Sequence, residues 1–202
     1  MKAFAVALAY LSLTTMPMTM RSRFLRSLRG TLACLTVLVS ALAAESQVDT
    51  RRWARDGLAF DYPAGWSVSD HSTPQAQEVW LEPGVRSDVQ IRIGVLRGPI
   101  DPVRAGGIVD EYVGIFVDEL TRNGGRAPER ATASTRIAGV TAQGVRLRAA
   151  LKNEPGEVAI YWLTLENRFA VLTVFGPDAQ MTTFGRGWDL LRASLEVSRR
   201  PG

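Results

Sequence analysis

Two neighbouring segments that are apolar on both faces constrain the fold more than any other feature of the sequence. Residues 158–165 and 169–175 carry apolar side chains at odd and even positions alike. Strands with this pattern are typically covered on both faces of their sheet. The polar pair Glu166-Asn167 that joins them is typical of a tight hairpin. The sequence therefore predicts an antiparallel pair at the centre of a sheet with layers on both sides.

Shorter segments in which apolar and polar residues alternate predict further strands. These are residues 58–62, which end at Pro63, residues 77–82, residues 89–95 and residues 145–151. Val140 and Ala142 are out of phase with the last of these segments. A β-bulge is therefore predicted at Gly144.

Two helices are predicted from periodicity and capping residues. Asp101-Pro102 suits the N-cap and first position of a helix, and Asn123-Gly124-Gly125 suits its end. Apolar residues fill more than half of the circumference between them, which predicts a well-buried helix. A second helix begins near Asp178. Gly185 and Gly187 disfavour helix formation there, so they predict close packing at that turn.

Residues 1–43 have the composition of a bacterial signal peptide. Residues 21–29 contain four arginines, residues 31–42 are apolar, and Ala41-Leu42-Ala43 fits signal peptidase cleavage. The start of translation is open between Met1 and the later methionines Met16, Met18 and Met20. A membrane hairpin and a retained anchor are the alternatives to cleavage. The remaining chain is expected to comprise a polar lead-in at residues 44–52, one α/β domain at residues 53–197 and a tail at residues 198–202.

The net positive charge of the chain belongs to this leader. The sequence has 24 Lys and Arg against 20 Asp and Glu. Five of the basic residues and none of the acidic ones lie in residues 1–44, which leaves 19 basic against 20 acidic residues. A nearly neutral domain has no general attraction for nucleic acid. Gly185-Arg186-Gly187 lacks the context of a phosphate-binding loop. We therefore expect neither nucleic acid nor nucleotide as a partner.

The residues that usually carry catalysis or bind metals are scarce. His71 is the only histidine, and Cys34, in the predicted leader, is the only cysteine. His71 lies beside Ser69 and Asp70, but adjacent residues on one loop cannot form a catalytic triad. Zinc and copper sites usually need several such ligands. The sequence thus predicts no catalytic residues, no metal site and no cofactor.

Arginines are the best candidates for a binding surface. Arg92 lies on the polar phase of one predicted strand, and Arg146 and Arg148 lie on the polar phase of another. If these faces coincide, they form a basic patch for carboxylates or phosphates. The alternative is a solvated sheet face on which Glu78 or Glu82 pairs with the arginines. The five tryptophans are expected to be mainly core residues, with a ligand-stacking platform as the alternative. They are Trp53, Trp66, Trp80, Trp162 and Trp188.

The order of several short motifs resembles the PsbP-like fold superfamily, which includes PsbP and DcrB-type bacterial envelope proteins. The motifs are Leu58-Ala59-Phe60-Asp61-Tyr62-Pro63-Ala64-Gly65-Trp66, Ile137-Ala138-Gly139, Arg168-Phe169-Ala170-Val171-Leu172-Thr173 and Leu191-Arg192-Ala193-Ser194-Leu195. Together they extend over residues 53–197. The resemblance implies an α+β fold, with an antiparallel sheet flanked by helices, and members that bind partners rather than catalyse.

These observations lead to one functional hypothesis and two alternatives. The hypothesis is a non-catalytic exported binding or accessory module, periplasmic or secreted, that engages an envelope or membrane-complex protein or a small ligand. Contact with the membrane is expected only through an uncleaved leader. The alternatives are an envelope hydrolase of unrecognised type and a structural accessory subunit of a membrane complex.

Overall fold

The computed structural model describes residues 49–84, 87–124, 126–151 and 153–198, and the predicted signal peptide lies outside them. The strands of this part are β1 Thr50–Arg55, β2 Leu58–Pro63, β3 Trp66–Asp70, β4 Ala76–Pro83, β5 Gln90–Leu96, β6 Glu129–Ile137, β7 Val140–Leu151, β8 Glu154–Leu165, β9 Arg168–Pro177 and β10 Glu196–Val197. The helices are α1 Pro102–Gly124 and α2 Asp178–Ser194.

The hairpin predicted from the two doubly apolar segments lies inside a seven-stranded sheet. Its strand order is β3-β4-β5-β9-β8-β7-β6, and every neighbouring pair is antiparallel. Glu166 and Asn167 form the turn between β8 and β9, with φ angles of 46° and 64°. Two consecutive positive φ angles give a turn whose twist matches that of the strands. The predicted antiparallel α+β architecture is confirmed.

A second, three-stranded sheet has the order β1-β2-β10. Its β1–β2 turn is Asp56-Gly57, again with two positive φ angles. Strand β1 begins at Thr50, so the prediction that residues 44–52 are only a lead-in is wrong for residues 50–52. Ser198, the first residue of the predicted tail, donates its backbone N–H to the Gly57 carbonyl at 2.7 Å.

The large sheet has a hydrophobic core on each face. Helix α2 and the small sheet cover one face, where Ala159, Tyr161 and Leu172 are buried. Helix α1 covers part of the other face, over Val158 and Ile160. Alternate residues of β8 therefore enter different cores, which explains why the segment is apolar at every position.

Strand β7 is regular at Gly144, and the predicted bulge is wrong. Gly144 pairs in continuous register with Ala133 on β6 and Tyr161 on β8. The change of phase has another cause. Ala142 is buried on the α2 face, whereas Val145 is buried on the α1 face. One strand thus serves two cores, each along a different part of its length.

The helices begin close to the predicted residues but are less completely buried than expected. The Asp101 carboxylate accepts the Arg104 backbone N–H at 2.9 Å, as an N-cap does. Helix α1 buries one side only, and Ile115 is 56% exposed, so the prediction of a well-buried helix is too broad. Close packing is confirmed at Gly187, which lies against the Trp66 ring, but Gly185 faces open space. Neither helix in these residues is long and apolar enough to cross a membrane.

Candidate functional site

Helix α1 leaves part of its sheet face uncovered. The buried residues beneath it come from β7, β8 and β9. On the same face, β4 and β5 carry five polar or amphipathic side chains that are half-buried or exposed. We call this set the open face: Glu78, Trp80, Glu82, Gln90 and Arg92. The strand register aligns Trp80 with Arg92, and Arg92 with Thr173 of β9.

Arg92 occupies the centre of the open face and is surrounded by aromatic rings. Its guanidinium carbon lies 4.2 Å from the centroid of Trp80, 5.2 Å from that of Phe175 and 5.9 Å from that of Phe116. Its Nε donates to the Gln90 side-chain oxygen at 2.5 Å. The rings hold the cation by cation–π attraction while Gln90 orients it.

Trp80 is the tryptophan that belongs to neither hydrophobic core of the described residues. It contacts Arg92 and also the His71 ring, at a centroid separation of 4.1 Å. Its indole N–H donates to a Glu78 carboxylate oxygen at 2.7 Å. The other four tryptophans pack against the hydrophobic cores, as predicted for most of the set.

A cavity of about 610 Å³ adjoins the open face. Residues of α1, the ends of β4, β5, β7 and β9, residues 87–89, and Asn153 and Val158 line it. Its apolar lining residues are Val89, Phe116, Leu120, Ala150, Leu151, Val158, Phe175 and Pro177. Its polar lining residues are Glu82, Ser87, Asp88, Gln90, Arg92, Glu119, Asn123 and Asn153. This size and mixed lining are typical of small-molecule and peptide pockets.

Tyr112 of α1 supports the site beside Arg92. Its hydroxyl oxygen accepts a hydrogen bond from Thr173 at 3.2 Å. Burial raises the pKa of Tyr112, and the hydrogen bond from Thr173 and the charge of Arg92 offset part of that effect. The phenol is therefore neutral at ordinary pH and accepts hydrogen bonds without adding charge to the site.

Arg146 and Arg148 do not join Arg92, so the predicted common patch is wrong. The register aligns Arg146 with Ala159 of β8, in the α2-side core, whereas Arg92 shares its row with Ile160, in the α1-side core. The arginines thus lie on opposite faces of the sheet. Parity within one strand fixes which residues share a face, but only the register relates one strand to the next.

Both α2-side arginines are paired with acidic residues. Arg148 donates two hydrogen bonds of 2.7 Å to Asp178, which raise the pKa of the guanidinium. Arg146 lies 3.6 Å from Glu157. The expected acidic partners were Glu78 and Glu82, which belong to the other face. A partner-binding role for Arg146 and Arg148 stays a prediction.

The Ser69-Asp70-His71 segment has no triad geometry. His71 Nε2 and Ser69 Oγ are 3.1 Å apart on the exposed edge of the sheet. Asp70 turns away, with its carboxylate 2.6 Å from Arg55 and accepting the Ser72 backbone N–H at 2.9 Å. Hydrogen bonds from Ser72 and the charge of Arg55 lower the pKa of Asp70. Within the described ranges, no three His, Cys, Asp or Glu side chains converge as a metal site would require.

Comparison of the chain with known proteins finds similarity in structure only. No family model and no curated protein matches the sequence. The solution structure of PsbP from the cyanobacterium Synechocystis is 13% identical, covers 77% of this chain and 96% of its own, and has a TM-score of 0.47. PsbP also belongs to the superfamily that the order of the sequence motifs resembles.

Two further solved structures give the same result. Mog1p, a Ran-binding protein of Saccharomyces cerevisiae, is 10% identical, with 75% of this chain and 96% of its own covered and a TM-score of 0.45. LpqN, involved in cell envelope biogenesis in Mycobacterium tuberculosis, is 11% identical, with 81% and 97% covered and a TM-score of 0.41. At these identities the likeness concerns the fold alone.

Proposed function

We propose that the protein is a non-catalytic, exported binding module of the bacterial envelope, with its ligand site in the cavity beside α1. One observation carries this proposal: Arg92 faces the cavity as a half-buried cation. Among the described residues, no carboxylate oxygen lies within 4 Å of its guanidinium, although Arg146 and Arg148 both have such partners.

The surroundings of Arg92 favour a ligand that supplies the missing anion. Removing a guanidinium from water is costly unless hydrogen bonds or charges compensate. Aromatic rings and Gln90 compensate part of this cost and hold the planar group in one orientation. An acceptor with two oxygens matches the remaining Nη donors. A preoriented donor group loses little conformational entropy on binding, which favours affinity.

The cavity proposal is tested by ligand-observed NMR against a library of small carboxylates, phosphates and peptides. We expect Arg92→Gln, and Asn123→Trp at the exposed α1 wall of the cavity, to abolish or weaken the binding of hits by roughly tenfold or more. Arg146→Glu/Arg148→Glu is the matched control on the opposite face and should leave these hits unchanged. If only the Arg146→Glu/Arg148→Glu variant lost binding, the ligand site would lie on the α2 face instead of in the cavity.

The alternatives from the sequence have separate tests. A hydrolase based on the exposed Ser69–His71 contact would turn over ester, peptide or glycoside substrates, and both Ser69→Ala and His71→Ala would abolish this. We expect no such turnover. A structural subunit of a membrane complex would co-purify with that complex whether or not Arg92 is substituted.

Export makes a prediction of its own. The arginines of residues 21–29, the apolar residues 31–42 and Ala41-Leu42-Ala43 occur in the order that signal peptidase recognises. The mature chain should therefore begin at Ala44 or within a few residues of it. N-terminal sequencing of the native protein measures this directly, and a mature chain that begins near Met1 or Met20 would contradict it.

A further inference from the structure

We infer that the cavity binds peptides with a free C-terminal carboxylate, a bulky apolar last residue and a basic group nearer the N-terminus. This inference rests on the proposed function and names the ligand class for the same site. It combines three features of the described lining residues: Arg92 as the half-buried basic side chain, apolar walls, and carboxylates that are exposed.

The first feature selects a single compact anion. Trp80 covers one side of the Arg92 guanidinium, and the Nε of Arg92 donates a hydrogen bond to the Gln90 side chain. The donors left to a ligand are the N–H groups along the edge of the guanidinium that Gln90 and the Tyr112 hydroxyl do not engage. A carboxylate fits this edge with two parallel hydrogen bonds.

The second feature selects an apolar body next to that anion. Phe116 and Leu120 line the cavity from α1, and Val158 and Phe175 line it from the sheet. Phe116 and Phe175 stand edge to face, with centroids 6.0 Å apart, and both lie beside Arg92. The apolar walls and the cation are thus adjacent, as a terminal carboxylate and its own side chain are in a peptide.

The third feature disfavours polyanions and favours a ligand whose positive charge lies beside the exposed carboxylates of the cavity. Glu82 and Glu119 are exposed and line the cavity from the sheet and from α1. One oxygen of Glu82 accepts a hydrogen bond from Gln90 at 2.5 Å, which fixes this carboxylate next to the Arg92 site. Like charges would repel a phosphate or an oligocarboxylate, whereas a lysine or a free amino group would be attracted. A fatty acid offers the anion and the apolar chain but no cation.

The probe is the peptide Lys-Ala-Ala-Phe with a free C-terminus, titrated by calorimetry against the full mature chain. We expect the C-terminal amide to bind at least roughly tenfold more weakly, because it lacks the charge that pairs with Arg92. Arg92→Lys should weaken the free acid but not the amide, because it keeps the charge and loses the planar fork. Arg104→Gln, an exposed arginine of α1 outside the cavity, is the matched control and should change neither affinity.

The outer carboxylates are tested with a second peptide pair. Glu119→Gln should weaken Lys-Ala-Ala-Phe severalfold and leave N-acetyl-Ala-Ala-Ala-Phe unchanged. Equal binding of acid and amide, or tighter binding of dodecanoate or glycerol phosphate that depends on Arg92, would overturn the peptide assignment and keep the cavity as the binding site. If Asn123→Trp changes the affinity of none of these probes, both the inference and the proposed site fail.

Discussion

Replacing Arg168 by Met is expected to lower the free energy of unfolding by roughly 3–5 kcal/mol. Arg168 is the first residue of β9, yet only 7% of its surface is exposed. Its guanidinium donates hydrogen bonds to four acceptors from separate parts of the chain. They are the carbonyl oxygens of Leu96 at 3.2 Å, Asp56 at 3.3 Å and Ser198 at 3.3 Å, and the side-chain oxygen of Gln77.

These acceptors explain the size of the expected effect. Asp56 lies in the β1–β2 turn of the small sheet, and Ser198 follows its last strand, β10. Leu96 and Gln77 belong to the large sheet. Arg168 therefore joins the two sheets. Burial lowers the pKa of Arg168, and the neighbouring cation Arg97 lowers it further. Methionine fills the space of the aliphatic stem but supplies no donor. The side-chain oxygen of buried Gln77 and the carbonyl groups of the half-buried residues Leu96 and Asp56 would then lose these hydrogen bonds.

Urea denaturation of the variant and the wild type measures this effect, with Arg148→Met as the control. Arg148 also forms charged hydrogen bonds, but its side chain is 45% exposed and its partner Asp178 is 44% exposed. Ion pairs at such positions contribute about 1 kcal/mol or less. Equal losses in the two variants would show that Arg168 does not join the sheets in the way its contacts indicate.

The role of Arg168 illustrates which parts of the fold the sequence predicts. Periodicity found the strands and helices whose apolar faces enter a core, including β5, β8, β9 and both helices. The strands it missed include β6, one of the two edge strands of the large sheet, which is mostly exposed. An edge strand with little buried surface leaves no apolar alternation to detect. Arg168 is polar in sequence, and its burial arises only when the two sheets meet.

The candidate site was predictable only in part, for a similar reason. Arg92 was identified because it interrupts an apolar strand in the polar phase. Its aromatic surroundings come from β4, β9 and α1, and the cavity adds residues of the β7–β8 hairpin. No local pattern links these elements. The strand register decides that Trp80 and Phe175 meet Arg92 while Arg146 does not.

The second large effect is expected from Gly144→Ala, which should destabilise the protein by roughly 2–3 kcal/mol. An added Cβ would come within 2.6 Å of the Ile160 carbonyl oxygen and would overlap the Tyr161 ring. That ring is buried, and it stacks against Trp188 of α2 at a centroid separation of 5.9 Å. It therefore has no free space to move into, and the carbonyl belongs to the backbone of a central strand.

Gly94→Ala is the matched control for Gly144→Ala, because both glycines lie within strands of the same sheet and neither has a positive φ angle. A Cβ at Gly94 would meet nothing closer than the Val171 carbonyl oxygen at 3.8 Å, which is an ordinary contact. Reducing the freedom of the unfolded chain should make this variant neutral or more stable by up to about 1 kcal/mol. Thermal and urea unfolding of both variants give the comparison.

If Gly144→Ala proves as stable as Gly94→Ala, the β7–β8 spacing must yield to an extra methyl group. The close approach of Tyr161 would then not be what requires glycine at position 144. If Gly144→Ala is destabilised as expected, replacing the Tyr161 ring by leucine should remove part of the clash. The double variant Gly144→Ala/Tyr161→Leu should then lose less free energy of unfolding than the two single variants together.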